Sequence, residues 1–180
     1  GILTTGKISD SNGAIGAASS ALYSTGSGIE WKNAGTVEST GDFVGLIKEE
    51  VRIDADRLDE DTNINLEDGM VHYFQDPENS SSTPNIRYNG STTLTSKMTT
   101  GKVITVTIIT RSDGSSGSVV STGITIDGDA VTEEWLCATA PSTPAATSGY
   151  NVYTHTIIKQ SNTGTTDTDF LVLSTVANYD

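Results

Sequence analysis

The chain has 180 residues and a formal net charge of −13, from 23 acidic and 10 basic side chains. This balance lacks the basic footprint that displaces counterions from nucleic acid, and it opposes docking on an anionic bilayer. The single cysteine, Cys137, excludes an intrachain disulfide and a cysteine-rich zinc site, and is expected as a small buried apolar residue.

Ser and Thr make up roughly a quarter of the chain, well above ordinary usage. Eighteen glycines and only 34% hydrophobic residues accompany them, yet the apolar residues fall in strand-like clusters. That profile predicts an all-β protein with many turns. No apolar run reaches the length needed to cross a bilayer, and residues 1–25 show no basic start followed by an apolar core.

Residues 1–45 carry short apolar touches separated by Gly and Ser. Ala21–Tyr23 and Ile29–Trp31 read as two short strands around Ser24–Gly28. So thin a segment buries no core alone. It packs on copies of itself or on a partner, as a shaft or docking arm does, or it is a linker. Residues 46–180 read as a separate β-domain. Asp42–Ile47 is a candidate strand, and Val51, Ile53 and Ala55 alternate with charged residues as in a half-exposed strand.

Further strands are expected at Asn63–Leu66, Met70–Gln75, Asn85–Tyr88, Ser91–Leu94, Gly101–Arg111, Ser118–Ile126, Ala130–Cys137, Tyr150–Gln160 and Asp169–Ala177. Asn89–Gly90 and Asp127–Gly128 are hairpin signals, and Asp68–Gly69 is a turn. In the run Lys102–Arg111, Ile104, Val106 and Ile108 point one way, and Val103 and Ile109 the other. Such a strand is expected at the centre of a sheet, covered on both faces. Together these signals predict a β-sandwich or jelly roll of eight to nine antiparallel strands, preceded by an extended N-terminal segment.

Chemistry is sparse. His72 and His155 sit inside strand-like runs with nothing to bring them together beside a carboxylate, and are expected to be structural. The acidic stretch from Glu49 to Asp61 offers oxygen ligands for Ca²⁺, but Asp54, Asp56, Asp59 and Asp61 do not follow the EF-hand spacing; a solvated face is the default. Glu133 and Glu134 point to opposite faces of a strand and cannot flank one glycosidic bond. No nucleophile elbow or phosphate-binding loop is present, and no enzyme activity is expected. Trp135 is expected as a core anchor.

Two parts of the chain carry a resemblance. ALYSTGSGIEW at residues 21–31 resembles a segment near the shaft-to-domain transition of tail fibres from marine tailed phages. Across residues 61–179, NINLEDGMVHYF, TPNIRYNGSTTLTSKMTTGKVITVTIIT, ITIDGDAVTEEWLCATAP, YNVYTHTIIKQ and FLVLSTVANY resemble a C-terminal domain of such virion proteins. The resemblance implies a homotrimeric tail fibre on the virion exterior. Residues 1–45 would then dock on neighbouring virion proteins, and loops 76–84, 112–118 and 139–149 would contact a host glycan or protein. Candidate contact residues on or next to those loops are Asn79, Ser81, Asp113, Ser115, Thr143 and Tyr150. A capsid decoration protein and a carbohydrate-binding module are the alternatives.

Overall fold

The structure, a computed structural model, describes residues 20–24, 29–33, 49–113, 121, 123–140 and 148–179. The chain divides into two units, Gly1–Leu46 and Ile47–Asp180. In the first, β1 (Ser20–Ser24) and β2 (Ile29–Asn33) form an antiparallel hairpin that sets Leu22 opposite Trp31. The expected strand at Asp42–Ile47 lies outside the described residues.

The second unit begins by winding. β3 (Val51–Asp54), β5 (Val71–Pro77) and β7 (Val103–Ser112) lie parallel in one sheet. β4 (Asn63–Asn65), β6 (Asn85–Arg87) and β8 (Thr125–Ile126) lie parallel in another. The chain alternates between the sheets, so each β3–β4, β5–β6 and β7–β8 pair is one turn of a short parallel solenoid. Ser82 and Ser121 add a parallel bridge between the second and third turns.

The remainder turns back on this stack. β9 (Asp129–Ala130) pairs antiparallel with β8 through a tight turn at Asp127 and Gly128, both at positive φ (55° and 89°). Two positive φ values in a two-residue turn match the right-handed twist of the flanking strands, which is why Asp-Gly suits it. β11 (Gly149–Lys159) runs antiparallel to β7, and β12 (Phe170–Tyr179) antiparallel to β11. β10 (Glu133–Trp135) closes the edge parallel to β12. The sheet orders are β10-β12-β11-β7-β5-β3 and β4-β6-β8-β9.

The unit is therefore strand-rich with two mixed sheets, and the expectation of purely antiparallel strands is corrected. Among the described residues five pairings are parallel. The misleading cue was Asn89–Gly90. Its asparagine Oδ1 accepts from the backbone N–H groups of Ser91 (2.8 Å) and Thr92 (2.7 Å), a local Asx turn rather than a hairpin. The turn leads into the single helical turn α1 (Leu94–Lys97), where a strand was expected. A second short helix, α2 (Thr166–Asp169), precedes β12.

Ile64, Ile86 and Ile126 stand in one register row of the smaller sheet, and all three are fully buried. They face Phe74, Val106, Ile108, Tyr153 and Ile157 of the larger sheet within one core cluster. Beside the isoleucines runs a polar ladder. Asn85 Nδ2 donates to Asn63 Oδ1 (3.1 Å), Thr125 Oγ1 donates to Asn85 Oδ1 (3.1 Å), and Arg87 Nε donates to Asn65 Oδ1 (2.7 Å). The Asp68–Gly69 turn also depends on its glycine: φ is 131°, and a Cβ there would lie 2.7 Å from the carbonyl oxygen of Glu50.

β7 is central, as expected, but among the described residues only one of its faces is covered. Val106 and Ile108 are fully buried, whereas Val103 on the other face is 58% exposed. Cys137 corrects a further expectation: it is exposed, at φ 65° in the turn after β10. Trp135 is partly buried against the core, as expected. Among the described residues no helix is long and apolar enough to cross a membrane.

Ile86→Ala leaves a cavity in the middle of the isoleucine row. A loss of about 2–5 kcal/mol in urea unfolding is expected, with circular dichroism at zero denaturant still that of a β protein.

Candidate functional site

The parallel register decides where the loops emerge. β5 and β7 end side by side, with Pro77 opposite Arg111. β11 begins there, with Gly149 opposite Ser112 and Tyr150 opposite Arg111. β12 finishes there, with Tyr179 opposite Tyr150. The segments that follow Pro77, follow Ser112 and precede Gly149 therefore attach to one end of one sheet. These are the three loops singled out in the sequence.

Asn79 and Ser81 are exposed on the first of them. That loop is held from below. Glu78 is buried, and its carboxylate accepts from the backbone N–H groups of Leu58 (2.8 Å) and Asp59 (3.1 Å). Asp59 Oδ2 in turn accepts from Ser80 N (2.9 Å) and Ser80 Oγ (2.6 Å). Arg57 links Asp59 (3.3 Å), Glu60 and Asp76 (3.6 Å). Glu78 N–H donates to the Arg111 carbonyl (2.9 Å), tying the loop to β7. Burial pushes the Glu78 carboxyl up to about 7, against the pull of its two backbone donors.

Tyr150 is 41% exposed, and its ring lies 6.1 Å from that of Tyr73 at 60°. A hydrogen bond with the Tyr150 hydroxyl raises the Tyr73 pKa above the usual phenol value. With exposed Tyr179 and Arg111 beside them, these side chains give the loop end an aromatic and hydrogen-bonding character. Asp113 is exposed just beyond β7. Ser115 and Thr143 lie outside the described residues. Tyr73, Tyr179 and Arg111 were not singled out in the sequence. Their signal was alternation: each falls on the parity of its strand opposite to the buried residues.

The two histidines do not meet, because β7 lies between their strands. His72 Nε2 donates to the Gly69 carbonyl (3.1 Å), and burial lowers its pKa. It lies at the floor of a cavity of about 210 Å³ lined also by Arg52, Asp54, Asp56, Arg57 and Asp61. Asp54 there is engaged by Arg52 at 2.9 Å. Among the described residues no group of three or more His, Cys, Asp or Glu side chains is placed to hold a metal ion.

His155 joins a buried network that the sequence did not reveal. Its Nδ1 is 2.8 Å from Ser174 Oγ, which donates to Glu133 Oε2 (2.8 Å). The Glu133 carboxylate also accepts from the Ile124 N–H. The residue types invite comparison with a nucleophile and its base, but the serine proton is directed at the glutamate and both His155 and Ser174 are enclosed. Burial drives His155 down to about 4 and raises Glu133. This network pins β10, β11 and β12 together.

Compared with protein-family models, with curated proteins and with solved structures, the chain matches none.

Glu78 gives the fold a pH signature. Its folded pKa of about 7 exceeds its ordinary 4.5, so between these values the native state holds more protons than the unfolded one. Its contribution is full below about 4.5 and is lost as pH rises through 7. His155 acts oppositely between about 4 and 6.5: the unfolded state takes up the proton there, so stability falls as pH drops. Glu78→Gln removes only the first effect. Relative to the parent, this variant is expected to gain on the order of 1–3 kcal/mol between pH 5 and pH 8 in urea unfolding. Parallel curves for the two proteins would rule out the assignment.

Proposed function

We propose that this chain is a virion structural protein of a tailed phage, a homotrimeric tail fibre that contacts the host through the loop end of its six-stranded sheet. One observation carries the reading. The segments after Pro77, after Ser112 and before Gly149 attach side by side to a single rigid sheet, and the first is clamped by Glu78 and Asp59. Binding loops gain affinity when a rigid scaffold fixes them in advance. The resemblance of residues 21–31 and 61–179 to tail-fibre segments points the same way.

In this reading the two mixed sheets, packed across one core, serve as a sandwich-like head. Tyr150 and Tyr179 offer ring faces against which a pyranose can stack, and Asn79 and Asp113 offer polar groups for its hydroxyls. A surface glycan is the partner of choice. The hairpin unit at the N-terminus docks on a neighbouring virion protein.

The test is adsorption of the full chain to bacterial cells and to glycan arrays, with phage-encoded copy number taken from purified virions. Tyr150→Ala is expected to weaken glycan binding roughly three- to tenfold, the value of one aromatic contact. Undiminished binding in both Tyr150→Ala and Asn79→Ala would move the contact away from this end of the sheet. A copy number matching the capsid lattice rather than the tail would replace the fibre by a decoration protein.

A further inference from the structure

The six-stranded sheet spends only one of its faces on the core. On β11, Asn151, Tyr153, His155, Ile157 and Lys159 are buried, so the residues between them point outward. The registers carry this alternation across the sheet. Thr175, Thr154, Thr107, Val71 and Val51 form one outward row of β-branched residues from β12 to β3. Apolar rows flank it, and one of them runs through Val152, Ile109, Tyr73 and Ile53.

Two further properties set this face apart. Among the described residues seven large hydrophobic side chains are exposed, and six of them (Val51, Ile53, Val103, Tyr150, Leu173 and Tyr179) lie on it. It also carries almost no charge. At outward positions in register on β3, β5, β7, β11 and β12, Arg111 is the one charged side chain; the edge strand β10 adds Glu134. The chain as a whole has 23 acidic residues and a net charge of −13.

We infer that this outward face, short of its Tyr150–Tyr179 end, is the surface through which copies of the chain associate, each covering the same face of another. Size supports it: five strands of up to eleven residues present roughly 600–800 Å² at ordinary strand spacing and rise, close to the roughly 800 Å² per partner of a stable interface. Charge selects the occupant. Copies of a strongly acidic chain repel one another over most of their surfaces, and can approach closely only where no carboxylates meet. A basic partner would be drawn to the acidic surfaces and would find little here to pair with. Two such faces packed sheet on sheet bury aliphatic rows against each other, with threonine hydroxyls free to bond across the contact. The inference goes beyond the fibre reading, which calls for three copies but names no surface.

Light scattering of the full chain after size exclusion tests it, together with a Thr107→Glu/Thr154→Glu variant. A Thr99→Glu/Thr100→Glu control adds the same charge at exposed positions away from the sheet. The expected result is an assembled parent and control, and a folded variant whose self-association is weakened at least tenfold. Should the double variant lose its β circular dichroism, Leu173→Glu is measured in its place and read the same way. A parent that stays monomeric at millimolar concentration overturns the inference, as does a folded variant that assembles like the parent. A mass of two copies sustains this interface while removing the trimeric fibre; a mass of three sustains both only where the face variant breaks it, with three such faces meeting about one axis, and otherwise overturns the inference.

Discussion

Ile64, Ile86 and Ile126 stand one above another in neighbouring parallel strands, and the second unit is arranged to keep that row dry. Each is fully buried, a contribution of about 1.5–3 kcal/mol apiece relative to exposure. The row fixes the register of the smaller sheet, because a slip of one residue would turn every isoleucine outward. The Asn63–Asn85–Thr125 ladder beside it repeats the constraint in hydrogen bonds. What lies between the rungs is free to vary. Asn63 and Asn85 are 22 residues apart, and Asn85 and Thr125 are 40. The additional length in the last turn of the solenoid accommodates α1 and the segment after Ser112. Closing a longer loop adds little entropy cost per residue, so the solenoid tolerates it.

Carboxylates do the joining that the small core leaves undone. Asp127 makes the β8–β9 turn and also reaches across to accept from Leu94 N (2.6 Å) and Thr95 N (2.8 Å), fixing α1 to the sheet. Asp169 is fully buried and accepts from Thr163 N (2.6 Å), Gly164 N (3.2 Å) and Ser161 Oγ (2.8 Å), with Lys159 Nζ at 3.5 Å. These donors hold its pKa below the usual carboxylate range and set the turn between β11 and β12. Glu78 and Glu133 are the opposite case: both are buried with too few donors to offset desolvation, and both are pushed up. Two kinds of buried acid thus coexist, separated by how many N–H and O–H groups surround them.

Much of this was legible in the sequence, and the failures have physical causes. The long strands β7, β11 and β12 announce themselves through β-branched runs, and Asp127–Gly128 through its turn chemistry. The parallel order did not show, because β4 and β6 are three residues each and too short to display a period. The trace that existed was a repeat, Asn63-Ile64-Asn65 followed 22 residues later by Asn85-Ile86-Arg87. For the candidate site, Tyr150 was legible from its position next to a loop. Its neighbour Tyr73 was not, since that contact exists only once β5, β7 and β11 are placed in order. The same holds for the Glu78 clamp and for the His155–Ser174–Glu133 network, which join residues 19 or more positions apart.

The edges of the large sheet explain why its face is the surface left for other molecules. A parallel stack invites growth by addition of another strand at its open end. Here β3 occupies that end, and its inward positions are Arg52 and Asp54, ion-paired at 2.9 Å, where the next turn has His72 and Phe74 and the third has Val106 and Ile108. A further turn stacked on top would have to bury that pair, at a desolvation cost its Coulomb attraction does not readily recover. At the opposite edge β10 spans three residues, too few to template a long strand. With both edges blunted in this way, backbone pairing is a poor route to association. The remaining route runs through side chains, on the face where aliphatic and threonine rows lie in register.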